Sequence, residues 1–297
     1  MSWSKNLKKT GKLLESLKNH TTFKIGGPAR LFSRPLNILE LQRLIKDSRE
    51  QGQKVLILGA GSNLLVSDRG VDAAVVKLDS AAFSKIKNKG DLVEVGAGKP
   101  VNQLLAFCAG KGLSGLEFMA GIPGTVGGAL AMNAGVSLNG KKLAIGDLVE
   151  SVRVMDYNSN LKIFDRAKLK FGYRQSSLAK HIILSASLRL IPQNKRVVKR
   201  KTAEYLLRRK ATQDYSLPNA GCVFKNPPRD FAGRLIDSCG LKGRKIGGAM
   251  VSCKHANFIL NADHATARDV LELMRAIRKE VKKKYKIILD PEIKIWK

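Results

Sequence analysis

The chain has 297 residues, of which 44% are hydrophobic and 26% charged, a composition typical of a folded globular protein and not of a disordered one. Its 54 Lys and Arg residues against 24 Asp and Glu give a formal charge of +30, which favours anionic partners such as nucleic acid, an anionic membrane face or phosphate-bearing substrates. It has neither an apolar run of the about 18 to 20 residues that a membrane helix needs nor a signal-peptide pattern, so we expect a cytoplasmic protein without a membrane span.

The N-terminal part of the chain predicts a well-marked helix among short strands. A basic segment at 7–17 favours a short helix. Asn37 can cap a second helix that runs to about Gln51, with Glu40 at its third position and an apolar face behind it. Apolar runs separated by glycine-containing turns predict three strands, at 55–58, 64–66 and 73–78.

The middle of the chain is rich in glycine and predicts a mixture of strands and one helix. Residues 92–95 favour a strand, and 101–109 favour a helix that Gly110 and Gly112 end. Two alternating runs around the polar triplet Asn158-Ser159-Asn160 predict a hairpin, with strands at 149–157 and 161–164. A further strand is predicted at 181–190.

After Pro192 the composition changes, which indicates a domain boundary. The charged run 195–201 belongs to this boundary, and after it we predict a basic helix that ends near Arg209, followed by short strands at 249–253 and 258–261. Thr266 and Asp269 form a capping box for a long helix, whose apolar positions keep helical spacing at Val270, Leu273, Met274, Ile277 and Val281. The chain is predicted to end in a strand at 287–296 that Pro291 interrupts.

Cysteine and histidine give no metal or disulfide pattern. The four cysteines have no CxxC spacing and the four histidines no HxxxH or HExxH grouping. We therefore expect free thiols and no metal site. The cysteines are Cys108, Cys222, Cys239 and Cys253, and the histidines His20, His181, His255 and His264.

The turn after the predicted strand at 55–58 invites comparison with a dinucleotide-binding GxGxxG loop, because Asp79 follows about 20 residues later. Leu64 replaces the third glycine, and too few residues follow for a crossover helix. The alternatives are a turn between strands whose amides bind a pyrophosphate, or a turn with no ligand. The turn consists of Gly59, Ala60, Gly61, Ser62, Asn63 and Leu64.

A second glycine-dense segment, 121–129, strengthens the ligand interpretation. Dense glycine lowers stability unless tight turns or close backbone approach require it, and the apolar residues between the glycines could wall a flat ring. The alternative is a crowded packing turn without a ligand. The segment reads Gly121, Ile122, Pro123, Gly124, Thr125, Val126, Gly127, Gly128 and Ala129.

These segments resemble the flavin-binding core of the UDP-N-acetylenolpyruvoylglucosamine reductase family. The matching motifs occur in the family's order from about Asn19 to the C-terminus. They lie at 58–63, 115–129, 132–135, 171–176, 220–227, 246–249, 254–258 and 291–293.

The resemblance implies an α+β fold: a two-part FAD-binding domain of the vanillyl-alcohol-oxidase type and a C-terminal α+β substrate-binding domain. We place the first FAD subdomain at 1–78, with the strand near 290–297 returning to it, the second at 79–194 and the substrate domain at 195–289. The short segment between Arg174 and the strand near His181 resembles the shorter family type, which lacks a tyrosine loop.

The resemblance also implies the activity: NADPH-dependent, FAD-mediated reduction of UDP-N-acetylglucosamine enolpyruvate to UDP-N-acetylmuramate in peptidoglycan precursor synthesis. FAD is expected to be non-covalent and NADPH the co-substrate, in a monomer that needs no nucleic acid. The cofactor-binding residues implied are Gly59, Ala60, Gly61, Ser62, Asn63, Leu64, Ile122, Pro123, Gly124, Thr125, Gly127, Gly128, Ala129 and Asn133.

Three residues match the family's catalytic motifs. Hydride addition to an enol ether needs donors at the adjacent carboxylate, a role that matches Arg174 and Glu292, the latter only if its carboxyl is protonated. The family usually has serine as proton donor where this chain has Cys222, and a thiol is the stronger acid. Tyr173, Lys225 and Asn226 match substrate-binding positions, and His255 is expected to be structural.

Two other functions fit parts of the pattern. Another FAD-dependent oxidoreductase of the same fold would turn over with oxygen and lack the combination of Arg174, Cys222 and Glu292. A basic nucleic-acid-binding protein would be colourless and bind polyanions in a salt-sensitive way.

Overall fold

The computed structural model describes residues 11–138 and 140–297, which form two compact units. The first unit contains residues 11–13, 31–60 and 73–209 apart from residue 139, and the second contains Leu14–Arg30, Gly61–Asp72 and Lys210–Lys297. Among the described residues, no helix is long and apolar enough to cross a membrane.

Helices and strands alternate irregularly along the chain. The helices are α1 Ile38–Glu50, α2 Val101–Lys111, α3 Val126–Ala131, α4 Lys195–Thr212, α5 Ala232–Ser238 and α6 Ala267–Tyr285. The strands are β1 Gly11–Ser16, β2 Pro28–Ser33, β3 Val55–Leu58, β4 Leu64–Val66, β5 Val71–Lys77, β6 Ile86–Lys89, β7 Leu92–Gly96, β8 Leu113–Ser114, β9 Gly135–Leu138, β10 Lys141–Ala144, β11 Val149–Met155, β12 Leu161–Asp165, β13 Phe171–Gly172, β14 Gln175–Ser176, β15 Ile182–Arg189, β16 Ile191–Pro192, β17 Asn219–Cys222, β18 Lys245–Ile246, β19 Ala249–Val251, β20 Phe258–Asn261 and β21 Lys294–Trp296.

Helix α1 begins at the predicted cap. The Asn37 side chain accepts a hydrogen bond from the Glu40 N–H at 2.9 Å, which satisfies one of the helix's unpaired N–H groups. Its buried face carries Leu41, Leu44 and Ile45, which pack in one core cluster with residues of β5 and β15. The predicted helix and cap are confirmed.

The largest sheet lies in the first unit, with strand order β12-β11-β15-β7-β6 and antiparallel pairing throughout. Met155 pairs with Leu161, so the polar triplet after β11 closes the predicted hairpin. Val93, Val152 and Leu188 from this sheet are fully buried in a core shared with α2 and α3.

A four-stranded sheet has the order β1-β2-β5-β3, and β3 pairs in parallel with β5 from Val55 opposite Ala74 to Leu58 opposite Lys77. The short helix predicted at 7–17 is wrong for the residues that the structure describes, because 11–16 form β1 at the end of this sheet. Sheet pairing therefore overrides the local preference. Residues 7–10 lie outside the described range.

The second unit has its own core, between the sheet β17-β20-β19-β18 and the helices α5 and α6. The capping box at the start of α6 is confirmed: Thr266 accepts from the Asp269 N–H at 3.1 Å, and Asp269 accepts from the Thr266 N–H at 2.9 Å. All five predicted apolar positions of α6 are buried. A parallel pair joins β21 to β4, with Lys294 opposite Leu64.

The predicted C-terminal strand is shorter than expected. Helix α6 continues to Tyr285, and only Lys294–Trp296 forms a strand. Pro291 cannot donate a ladder hydrogen bond and makes a single bridge to Phe224 instead.

Helix α4 follows the change in composition, and Tyr205 and Leu206 pack against the core of the first unit. The division of the first unit at residue 78 and the boundary at residue 194 stay predictions.

Candidate active site

Two of the predicted cofactor segments adjoin in the first unit. Gly59 follows β3, and a Cβ at this position would lie 2.8 Å from Thr125 Oγ1 and 3.9 Å from Gly128 Cα. A side chain at residue 59 would therefore require the Thr125 hydroxyl to move. The structure therefore brings Gly59 and the loop 121–129 together, as the cofactor hypothesis requires.

The second of these segments turns into α3. Thr125 caps the helix by accepting from the Gly128 N–H at 3.3 Å, and Gly127 N–H donates to Ala97 O at 2.8 Å. Among the described residues, the N–H groups of Ala60 and Gly124 make no backbone hydrogen bond. Unpaired amides in glycine-rich loops bind phosphate groups, so these residues fit a cofactor with a pyrophosphate.

The rest of the first glycine turn belongs to the second unit. Gly61 has a φ of +65°, and its carbonyl accepts from the Thr22 N–H at 3.2 Å. Asn63 Nδ2 donates to Glu292 O at 3.3 Å, and Asn63 O accepts from Lys294 N at 2.9 Å. This turn therefore holds the segment that carries a predicted catalytic residue.

The structure agrees with the sequence argument against a dinucleotide-binding fold at this turn. Strand β4 begins at Leu64, with no helix between it and β3. Asp79, the candidate ribose ligand, instead receives two hydrogen bonds from Arg34, at 2.9 and 2.8 Å. This hydrogen-bonded pair raises the pKa of Arg34.

Arg174 and Asn133 lie on neighbouring loops of the first unit. Asn133 Nδ2 donates to Gly172 O at 3.0 Å, while its Oδ1 accepts from Gly146 N at 3.0 Å. Arg174 has a φ of +54° and donates to Gly135 O at 3.1 Å. Its guanidinium carbon lies 5.4 Å from the centre of the Tyr173 ring. The half-buried guanidinium is thus held close to the glycine-rich region.

Cys222 and Glu292 lie on adjoining segments of the second unit. Cys222 ends β17, and the next residue, Val223, accepts through its carbonyl from the Glu292 N–H at 2.7 Å. Lys225 N–H donates to Asp290 O at 2.8 Å on the same pair of segments. Cys222, Lys225 and Glu292 are all half-buried. Arg174, by contrast, belongs to the first unit.

Asn226 is exposed, but its side chain accepts a hydrogen bond from the protein backbone. Its Oδ1 accepts from the Ala232 N–H at 3.0 Å, at the first residue of α5. The side chain therefore caps a short helix as well as standing next to Lys225.

Sequence reasoning gave no role to a polar network behind Cys222. Asn257 is 3% exposed and Asp214 7% exposed, and Ser252 is fully buried. Ser252 Oγ donates to Asp214 Oδ2 at 2.5 Å and accepts from the N–H groups of Lys254 and His255, each at 3.0 Å. The signal for this network in the sequence was that Asn257 stands between apolar residues, in the run Ala256-Asn257-Phe258-Ile259.

His255 is part of this network, in agreement with its expected structural role. Its ring lies 4.6 Å from that of Phe258, and its Nδ1 accepts from the Asn257 N–H at 3.3 Å. Burial lowers the pKa of His255. A neutral ring that accepts at Nδ1 suits this contact.

Two other cysteines, Cys108 and Cys253, differ in their exposure. Cys108 is 1% exposed in the first core, and burial, with a smaller contribution from Glu117, raises its pKa to about 12. Cys253 is exposed. Within the described part of the chain, no group of three or more His, Cys, Asp or Glu side chains is placed to hold a metal ion.

Two protein families match separate parts of the chain. A family described as FAD binding domain matches residues 29–164. The family of the UDP-N-acetylenolpyruvoylglucosamine reductase C-terminal domain matches residues 212–296. The FAD-binding match includes both glycine-rich segments, and the C-terminal match includes Cys222 and Glu292.

Relatives match over almost the whole length. A UDP-N-acetylenolpyruvoylglucosamine reductase of Moorella thermoacetica is 42% identical over 283 residues, which cover 95% of this chain and 92% of that protein. A reductase with the same name from Caldanaerobacter subterraneus is 43% identical over 295 residues, 98% of this chain and 96% of that protein. The crystal structure of the reductase from Thermus caldophilus superposes with a TM-score of 0.82 at 38% identity and covers 97% of this chain and 100% of that one.

Proposed function

Because the chain belongs to the UDP-N-acetylenolpyruvoylglucosamine reductase family, we propose that it uses NADPH and bound FAD to reduce UDP-N-acetylglucosamine enolpyruvate to UDP-N-acetylmuramate. The chain is an oxidoreductase with an α+β fold and an FAD-binding domain, followed by a C-terminal domain of this family. NADPH as co-substrate, a monomeric state and a cytoplasmic location belong to the proposal.

One observation carries the assignment of the reaction. The backbone hydrogen bond between Glu292 N and Val223 O puts Glu292 on the segment that adjoins Cys222. A proton donor and a carboxyl group carried by adjoining segments suit an acid-base step on an anionic intermediate. Lys225, on the same segment, supplies a positive charge for the substrate's phosphates or sugar.

FAD, when bound, would supply the hydride chemistry, with NADPH as the reductant, flavin N5 as the hydride donor and C3 of the enolpyruvyl group as the acceptor. The residues of the chain bind the cofactor and the substrate, orient them and protonate the reduced substrate. The glycine segments at 59–64 and 121–129, together with Asn133, are proposed to hold the cofactor. Arg174 is proposed to bind the substrate carboxylate with Tyr173 beside it, because a fixed guanidinium stabilises charge that builds up on those oxygens.

We assign the proton that reaches C2 to Cys222. A thiol has a pKa of about 8.5, far below that of a hydroxyl, so it can protonate an enolate although it is a weak hydrogen-bond donor. Glu292 stabilises the same charge only as a neutral acid, which requires its pKa to lie above the usual range of a carboxyl group. Asn226, beside Lys225, is assigned to the substrate.

The experiment measures the two half-reactions separately. Wild type, C222A, C222S and the control C253A are mixed anaerobically first with NADPH and then with the enolpyruvyl substrate, while flavin absorbance is followed. We expect normal bleaching in all four proteins, slow reoxidation in C222A alone, and reoxidation in C222S that is close to wild type.

Equal slowing of both half-reactions in C222A would contradict the assignment of Cys222. A colourless wild-type protein that takes up no flavin would overturn the function itself. Reoxidation by oxygen but not by the enolpyruvyl sugar would indicate another flavoenzyme of the same fold.

A further inference from the structure

Beyond the end of β17, a side chain takes the place of a neighbouring strand. Cys222 pairs with Phe258 of β20, whereas Phe224, two residues later and only 1% exposed, lies beyond the residues that pair with β20. Instead, Phe224 N–H donates to Asn257 Oδ1 at 2.9 Å and Phe224 O accepts from Asn257 Nδ2 at 2.8 Å. The amide thus satisfies both backbone groups of a buried residue, each of which would otherwise be costly to leave unpaired.

The same short segment is held on its other edge by the C-terminal segment. Val223 N–H donates to Asn257 O at 2.9 Å, while Val223 O accepts from Glu292 N–H at 2.7 Å. Lys225 N–H donates to Asp290 O at 2.8 Å. Residues 223–225 are therefore clamped between Asn257 and 290–292, with Cys222 at one end of the clamped segment and Lys225 at the other.

A chain of hydrogen bonds leads from the backbone of Asn257 to Asp214. The Asn257 N–H donates to His255 Nδ1 at 3.3 Å, His255 N–H donates to Ser252 Oγ at 3.0 Å, and Ser252 Oγ donates to Asp214 Oδ2 at 2.5 Å. Ser252 is fully buried and Asp214 almost so, which limits the movement of this chain of contacts. The backbone from which the amide projects is consequently fixed.

We infer that Asn257 is a positioning residue that sets the distance between the Cys222 thiol and the Glu292 carboxyl through the backbone of Val223 and Phe224. The inference rests on the proposed function, because it gives Asn257 a part in protonating the substrate and none in flavin reduction. An amide suits the task because it offers one donor and one acceptor side by side. Displacing a reacting group by about 1 Å can cost about 100-fold in rate.

The test replaces the amide by groups that lack one or both functions. In N257D the ionised carboxylate can accept from Phe224 N–H but cannot donate to Phe224 O, whereas the protonated acid can do both. Burial raises the pKa of such a carboxyl. We expect N257D to be reduced by NADPH at the wild-type rate and reoxidised by the enolpyruvyl substrate about 10 to 100 times more slowly at pH 8.

The pH dependence separates positioning from a merely structural loss. At pH 6, the reoxidation rate of N257D relative to wild type should recover, while that of N257L should not. The other titratable groups around position 257, namely His255, Asp214, Lys225 and Glu292, are present in both variants. A recovery restricted to N257D therefore belongs to the new carboxyl.

Asn261, at the end of the strand β20 that Asn257 immediately precedes, provides a matched control. Its amide also makes one donor and one acceptor contact to backbone, to Phe23 O at 3.1 Å and from Ala265 N–H at 2.8 Å, but none to 223–225. N261D should lose stability without separating the two half-reactions. If N257L does not retain FAD, N257Q, with the same groups displaced by one methylene, should show the selective slowing of reoxidation.

Wild-type reoxidation rates in N257D and N257Q would overturn the inference, as would an equal slowing of both half-reactions like that of an unstable control. Failure of the wild-type protein to be reduced by NADPH, or to be reoxidised by the enolpyruvyl sugar, would instead overturn the proposed function. The two failures are therefore distinguishable.

Discussion

Replacing Gly61 by alanine tests whether the first glycine turn needs glycine for its backbone path. The residue has a φ of +65°, and a Cβ there would lie 2.3 Å from His20 O and 2.8 Å from Thr21 Cα. Both neighbours are backbone atoms, so no side-chain rotation can relieve the overlap. The His20–Thr22 segment or the turn itself must shift, and the turn also carries the Asn63 contact to Glu292.

A G90A variant separates the strain of a left-handed backbone from the strain of overpacking. Gly90 has a φ of +63°, and a Cβ at this position meets nothing within 4 Å. A left-handed conformation costs an L-residue about 1 to 2 kcal/mol, which applies equally to G61A and G90A. Overpacking adds about 1 to 3 kcal/mol in G61A alone, so its free energy of unfolding should fall below that of G90A by this amount.

Urea unfolding of the two apoproteins, followed by circular dichroism, measures the difference, and titration with FAD measures cofactor affinity. We expect G61A to be the less stable and to bind FAD more weakly, while G90A binds it like wild type. Equal stability and equal FAD affinity of the two variants would refute the reasoning that backbone crowding at residue 61 shapes the cofactor turn.

Three further outcomes are expected. T266A should lower the free energy of unfolding by about 1 kcal/mol in urea, because it removes half of a capping box, and an unchanged midpoint would contradict this. Burial acts to raise the pKa of Asp214, but hydrogen bonds from Ser216 and Ser252 outweigh it and lower the pKa. The stabilisation from Asp214 should therefore be complete above about pH 4, the unfolded value, and decline as pH falls. Unfolding curves recorded across pH should show a smaller decline in D214N than in wild type, and an equal decline would contradict this. Brief alkylation of the native protein, followed by peptide mass spectrometry, should label the exposed Cys253 and leave Cys108 unmodified. Cys108 should not react because burial raises its pKa to about 12. Comparable labelling of both cysteines would place Cys108 outside the core.

Local patterns predicted the elements whose partners are close in sequence. The Asn37 cap, the hairpin at 158–160 and the capping box of α6 all form as expected, because each depends on contacts within a few residues. The segment at 11–16 was predicted incorrectly, since its pairing in a sheet is set by residues farther along the chain.

The site could be predicted only in part. The motif resemblance identified the family, which relatives at 42% and 43% identity confirm. The roles of Arg174, Cys222 and Glu292 stay predictions that the half-reaction experiments address. Asp79 was a reasonable ribose ligand by spacing, yet Arg34, 45 positions away in sequence, makes hydrogen bonds to its carboxylate.

The sequence by itself determined the family, the glycine-dense segments and the helices with caps, because residue type and spacing within one turn or one helix decide these features. Only the tertiary structure decided how Asn257 holds Phe224, 33 positions away, and how Asn63 meets Glu292 across 229 positions. Such hydrogen bonds join groups that leave no periodic or local signal, since their partners meet only after the chain has folded. The placement of Cys222 and Glu292 on adjoining segments depends on these contacts.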